Sequence, residues 1–289
     1  MRDNASLRAA RYAAQRLTRD LCITRPEQLV MEDIAWIRGA YVLEGELHGA
    51  EARLARKGNH GVIRIRANLP ELGRKRFAIA HELGHWELGD SMSQLSACTT
   101  DDISGGGAIE PEIVANVFAG ELLMPTRLMA PRCSEATPDL QVVCNLAEEF
   151  RTTVTATVQR FVEESKETCV AVFSQDRKVK WWRIREGARV WIEGGQAIDN
   201  RSSAWAPSSG DLMEPVETEA WFPDWDGPGS REVREQSIVL GHYRTVLTLL
   251  WLIDSEEKDS EEEDDSSWSG TIGSALPSWK RDRGERDPY

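Results

Sequence analysis

Several things are scarce or missing in this chain, and each shortage excludes something. No apolar run approaches the roughly 18–20 residues that a membrane-crossing helix needs. The longest, Val246 to Ile253 with Thr248 inside it, has the length of a buried strand or short helix. The opening residues, Met1 to Ser6, lack the apolar core and small-residue cleavage site of a secretion signal, so a cytoplasmic protein is expected. The 5 cysteines (Cys22, Cys98, Cys133, Cys144 and Cys169) are odd in number and form no C-x-x-C pair. That pattern excludes a disulfide framework and suits free thiols in a reducing compartment. Basic residues are outnumbered, 35 against 48 acidic ones, giving a net charge of −13. A broad basic surface for nonspecific nucleic-acid binding is thereby excluded. Histidine is as scarce as cysteine, with 5 in 289 residues.

What is present describes an ordinary globular chain. The length allows one large domain or two ordinary ones with a buried core, and 40% hydrophobic with 29% charged residues is a normal balance. Leu7, Ala10, Ala14 and Leu17 recur at helical spacing, with arginines between them. A second helix is expected after Pro26, stopping at Gly39. Tyr41 to Leu47, Ala50 to Arg56 and Gly61 to Ala67 read as strands of a small antiparallel sheet, with a turn at Lys57 to Gly61. Helices follow over Leu72 to Leu88, from Pro111 to before Pro125, and around Leu140 to Phe150 and Thr155 to Glu164, with a flexible loop over Ser91 to Gly107. Beyond Lys166 the texture changes: Cys169 to Phe173, Val179 to Ile184 and Arg189 to Ile192 look like strands, and nine of the 11 tryptophans occur from Trp181 on. From Asp254 to the end, 12 acidic residues face 5 basic ones, a composition expected to stay disordered. The expected fold is therefore α+β: a helical domain with a small antiparallel sheet over 1–166, a β-rich domain over 167–253, and an acidic tail over 254–289.

Two of the 5 histidines fall in His81-Glu82-Leu83-Gly84-His85. Positions i and i+4 share a helix face, so both imidazoles can reach one metal ion. Glu82 beside the first of them can take a proton from a water that the metal polarises. This is the H-E-x-x-H arrangement of zinc peptidases, which need three protein ligands and an open position. A third ligand must come from elsewhere. Glu112 is favoured, because Asn116 follows one turn later and can hold a ligating histidine by its other nitrogen. Glu110, before Pro111, is the alternative; Glu121 lies too far along to share that face. Gly84, in a helix interior, points to another segment pressing close. For steadying an oxyanion, His48, His60, Tyr41 and Tyr243 qualify by chemistry alone. Val62 to Arg66 is the strand expected to offer an edge to an extended substrate.

Together these segments resemble the ImmA/IrrE family of metallo-endopeptidases. Arg76-Phe-Ala-Ile-Ala-His-Glu-Leu-Gly-His85 and Glu112-Ile-Val-Ala-Asn-Val-Phe-Ala-Gly-Glu-Leu-Leu-Met-Pro125 carry the likeness, with Val62 to Asn68 and Leu146 to Phe150 in support, over about residues 5–165. The resemblance implies one catalytic Zn2+ held by His81, His85 and Glu112, with Glu82 as the catalytic carboxylate. It also implies a zincin-like fold and a protein substrate, a helix-turn-helix transcription regulator; the charge and the short apolar runs lead us to expect no direct nucleic-acid contact and no membrane. Val114 departs from the pattern, since many relatives carry a second Glu there.

Two other readings compete with cleavage. A zinc-containing regulator could bind a transcription factor without cutting it, although such a module has no need of Glu82. Leu146 to Phe161 has the cadence of a DNA-reading helix-turn-helix, with Arg151 and Arg160 as its nearby cations. Cys98, in the expected rim loop, is a candidate silencing ligand for the zinc.

Overall fold

The computed structural model describes residues 3–89, 95–97, 110–185, 190–207, 212–223, 231–241 and 244–254. The expected acidic tail beyond Asp254, Cys98, Tyr243 and the side chain of Glu110 lie outside the described residues.

Helix α1 (Asp3–Asp20) buries Ala10, Ala14 and Leu17 and leaves Arg8, Arg11, Arg16 and Arg19 in water, as its spacing requires. A 3-10 turn at Pro26–Gln28 and helix α2 (Met31–Ile37) lead into the first sheet. Its strands are β1 (Ala40–Gly45), β2 (Ala52–Lys57), β3 (His60–Arg66) and β4 (Leu95–Ala97), in spatial order β1-β3-β2-β4. Strand β4 falls where a loop was expected.

The small sheet is mixed, which corrects the expectation of an antiparallel one. Strand β2 runs antiparallel to β3 and β4, but β1 runs parallel to β3, Ala40 opposite Gly61 through Gly45 opposite Arg66. The β2–β3 hairpin turns tightly, with Lys57 opposite His60, and so inserts β3 beside β1. Strand β3 is therefore paired on both sides. It offers no edge to a substrate, contrary to expectation.

Helix α3 (Leu72–Leu88) packs on this sheet, and α4 (Glu110–Leu123) packs on α3. Two glycines set these distances. A Cβ on Gly61 would lie 2.9 Å from Cζ3 of Trp86, and one on Gly84 would lie 3.1 Å from Cα of Ala115. Trp86 then donates its indole N–H to the Arg38 carbonyl at 2.9 Å and lies beneath the Arg56 guanidinium, fastening the end of α3 to the sheet.

Helix α5 (Thr126–Glu135) was not expected. The buried Glu121 carboxylate accepts the Thr126 backbone N–H at 2.9 Å and its hydroxyl at 2.8 Å, starting the new helix straight after Pro125. Helices α6 (Leu140–Phe150) and α7 (Val154–Glu164) are capped by Asp139, which accepts from Gln141 N–H, and Thr153, which accepts from Ala156 N–H.

The second sheet, all antiparallel, has order β6-β5-β9-β8-β7, from β5 (Thr168–Gln175), β6 (Lys178–Ile184), β7 (Glu214–Val216), β8 (Arg231–Leu240) and β9 (Thr245–Asp254); a short α8 (Thr218–Trp221) precedes β8. Alternation along the strands divides its side chains. Cys169, Ala171, Leu247 and Leu249 join the core that also holds the helices and first sheet. Val170, Val172, Leu250 and Leu252 pack instead with Val190, Ile192 and Trp221. The expected strand over Arg189 to Ile192 is not one: Val190 and Ile192 are buried by packing against the sheet, without a ladder of their own, and Arg189 lies outside the described residues. No single helix among the described residues is long and apolar enough to cross a membrane.

Candidate active site

The middle of α3 is apolar around its circumference and buried, with Ile79, Ala80 and Leu83 all enclosed. His81 and His85, one turn apart, are therefore inside the protein at 1% and 4% exposure, and Glu82 between them is fully buried. Their rings meet edge to face, centroids 4.8 Å apart. The close approach of α4 at Gly84 brings Glu112 over the same two rings.

Donor atoms of three residues converge as a result. His81 Nε2 lies 3.1 Å from His85 Nε2 and 3.1 Å from Glu112 Oε2, and His85 Nε2 lies 3.4 Å from Glu112 Oε1. A tetrahedral ion with ligands at about 2.0–2.1 Å separates neighbouring donors by roughly 3.3–3.4 Å. The separations are of that size, with Glu112 turning Oε2 toward His81 and Oε1 toward His85. Tautomer chemistry agrees: His81 Nδ1–H donates to Asn116 Oδ1 at 2.9 Å, which leaves the Nε2 lone pair facing the carboxylate and the second imidazole. Among the described residues, these three form the group of His, Cys, Asp or Glu side chains close enough to share a metal.

The structure brings His81, His85, Glu112 and Asn116 together and leaves other sequence candidates elsewhere. Tyr41, His48 and His60 are exposed on or beside the first sheet. Glu121 is occupied with Thr126 and with Arg160, whose guanidinium lies 3.2 Å away. Burial pushes the thiols of Cys133 and Cys169 up to about 12, so both behave as small apolar groups.

Three buried or half-buried arginines tie the helices together, a role the sequence reading assigned to none of them. Arg76, on α3, donates to the Leu29 carbonyl at 2.7 Å and the Phe150 carbonyl at 3.4 Å; burial pulls its guanidinium down to about 10. Arg151, in a left-handed conformation at the end of α6, donates to the carbonyls of Pro26, Glu27 and Leu29. Arg160 is 7% exposed and bonded to Glu121, Met124 and Thr126. Both cations of the would-be helix-turn-helix are thus turned inward, away from any phosphate backbone. Their only sequence signal was basic residues at positions of otherwise apolar helical faces.

Comparison with known proteins agrees with this geometry. A solved Mycobacterium tuberculosis transcriptional regulator is similar in fold, with a TM-score of 0.55 at 16% identity, over 86% of this chain and 76% of that one. A search of curated protein sequences finds no significant match. Residues 38–162 match the IrrE N-terminal-like domain of the peptidase M78 family, a span that contains the first sheet and both helices of the cluster. The match supports the resemblance to the ImmA/IrrE family drawn from the sequence, over the stretch that holds His81, Glu82, His85 and Glu112.

Proposed function

We propose that the chain is a cytoplasmic zinc-dependent endopeptidase that hydrolyses a peptide bond in a specific regulatory protein, a helix-turn-helix transcription regulator. The observation that carries this reading is the convergence of His81 Nε2, His85 Nε2 and the two Glu112 carboxylate oxygens, at separations of 3.1, 3.1 and 3.4 Å. Two imidazoles and one carboxylate are the donor set of zinc hydrolases, and these separations fit zinc's bond lengths. Bound there, zinc polarises the scissile carbonyl and lowers the pKa of water toward about 7.

The chain's own residues supply the rest. Asn116 holds the His81 ring and its tautomer through Nδ1–H, keeping Nε2 available as a ligand. Glu112 contributes negative charge from a separate helix. Glu82, adjacent to His81 in sequence and fully buried, accepts the proton of the attacking water and returns it to the leaving amine. Residues 1–166 make up the peptidase part in this reading. Residues 167–253 brace it, since Cys169, Ala171, Leu247 and Leu249 lie in the same core as the helices. The regulatory role is supported by the family domain and by the fold shared with a protein titled a transcriptional regulator.

The test is co-expression with a helix-turn-helix regulator encoded beside this gene, comparing wild type and Glu82→Gln by intact mass. Cleavage by wild type alone supports the reading and locates the cut. An intact regulator bound equally by both forms would replace the peptidase with the zinc-containing, non-cleaving regulator.

A further inference from the structure

The first sheet has one face against α3 and one face outward, and in β1, β2 and β3 the outward positions hold no acidic residue. Alternation along the strands places Ala40, Val42, Ile63 and Ile65 on the α3 side. The same alternation puts Tyr41 and Leu43 of β1, Arg53, Ala55 and Lys57 of β2, and His60, Val62, Arg64 and Arg66 of β3 on the other side. No acidic residue falls on that face in these three strands, although the chain carries 48 acids against 35 bases. The register arranges the residues in rows. Lys57 lies opposite His60; Ala55, Val62 and Tyr41 form the next row; Arg53, Arg64 and Leu43 form the row after it.

Two features of this face are unfavourable for the isolated chain. Arg53 and Arg64 stand directly opposite each other, and like charges in that position destabilise a sheet. Nε of Arg53 is buried and has no hydrogen-bond partner among the described residues. Beside these cations Leu43 is 54% and Tyr41 41% exposed, and Trp36, 63% exposed, packs edge-on against Tyr41 at 4.6 Å.

We infer that this face docks a protein partner through a segment that combines acidic and apolar side chains. Carboxylates would sit between Arg53 and Arg64 and relieve their repulsion, while apolar groups would cover Leu43, Val62 and Tyr41. A nucleic-acid strand fits less well. Trp36 and Tyr41 spend their ring contacts on each other, and the remaining apolar groups are aliphatic and offer no stacking surface. The inference stands apart from the peptidase reading, because none of these residues belongs to the metal cluster.

The test uses the full-length protein and three fluorescein-labelled probes read by anisotropy: an amphipathic peptide alternating Glu or Asp with Leu or Phe, its Gln/Asn counterpart, and a twelve-residue oligothymidylate. The acidic peptide is expected to bind saturably and to weaken as salt rises. Arg64→Glu and Leu43→Asp should each weaken it by about tenfold or more, whereas Arg16→Glu, on the exposed side of α1, should leave it unchanged. Arg64→Glu replaces a like-charge pair by an opposite one, so its melting temperature should not fall, which separates lost docking from lost fold. The inference is overturned by equal or tighter binding of the oligothymidylate or the Gln/Asn peptide. It is equally overturned by no binding of the acidic peptide, or by Arg16→Glu weakening that peptide as much as Arg64→Glu does.

Discussion

Adding one methyl group at Gly84 should separate the two helices that build the candidate metal cluster. A Cβ there would lie 3.1 Å from Cα, 3.2 Å from O and 3.3 Å from Cβ of Ala115. Ordinary carbon contacts are about 3.5–4.0 Å, so α4 must withdraw by roughly 0.3–0.7 Å. Ala115 is itself buried at 1% exposure, and Phe118 and Ala119 beyond it are fully enclosed, so the strain cannot be shed by a side-chain rotation. Alanine is favoured over glycine in a helix by about 1 kcal/mol, while overpacking costs about 1–3 kcal/mol. The metal-free protein should therefore change in stability by roughly 0–2 kcal/mol, toward destabilisation. The larger effect falls on the site. Glu112 stands one turn before Ala115, so its 3.1 and 3.4 Å separations from the histidines widen with the helix. Zinc affinity should fall by about 10–100-fold, the scale seen when a contact supporting a metal ligand is disturbed. Chelator competition measures the affinity and denaturant unfolding of the metal-free protein measures the stability. A Gly84→Ala variant that gains the full helix-propensity term and keeps wild-type zinc affinity would refute the reasoning, because the helices could not then be in contact at that point.

Other consequences can be checked separately. Asn116→Ala removes the acceptor for His81 Nδ1–H and should weaken zinc by about 10–100-fold with little change in the fold by circular dichroism; unchanged affinity would leave Asn116 without its assigned role. Arg160→Met strands the Glu121 carboxylate in the interior and should cost about 3–5 kcal/mol in urea unfolding, with a loss below 1 kcal/mol showing that the buried pair is not structural. Burial pushes the Glu163 carboxyl up, but Arg183, Arg160 and Arg11 together hold it below its ordinary value of 4.5. Its stabilisation is present above the ordinary value and disappears as pH falls through the depressed one, so Glu163→Gln should flatten the acid limb of the stability curve. Glu164, raised chiefly by burial, has the opposite sign, and Glu164→Gln should steepen that limb; both variants tracking wild type would contradict these shifts.

The parts of the fold that were legible in the sequence are those written by local periodicity. Helices α3, α4, α6 and α7 were readable because apolar residues recur along them and Pro111 and Pro125 mark the ends of α4. The three donors of the cluster were readable because helical spacing places His81 with His85 and Asn116 with Glu112. Distances between separate elements were not readable. The insertion of β3 between β1 and β2 depends on how a hairpin meets a preceding strand, and no residue of β1 records whether its neighbour runs parallel. Helix α5 was hidden because Pro125 and Pro131 look like breakers, whereas the Glu121 carboxylate satisfies its first N–H from the previous helix. Val190 and Ile192 have the composition of a strand but use it for packing alone.

The most direct test of the account is zinc stoichiometry by native mass spectrometry on wild type, Glu82→Gln and Glu112→Ala. The account predicts one zinc per chain in wild type and in Glu82→Gln, and loss of most of it in Glu112→Ala. A Glu112→Ala protein that retains a full equivalent, or a wild type that takes up none when zinc is supplied, would contradict the claim that His81, His85 and Glu112 form the metal site.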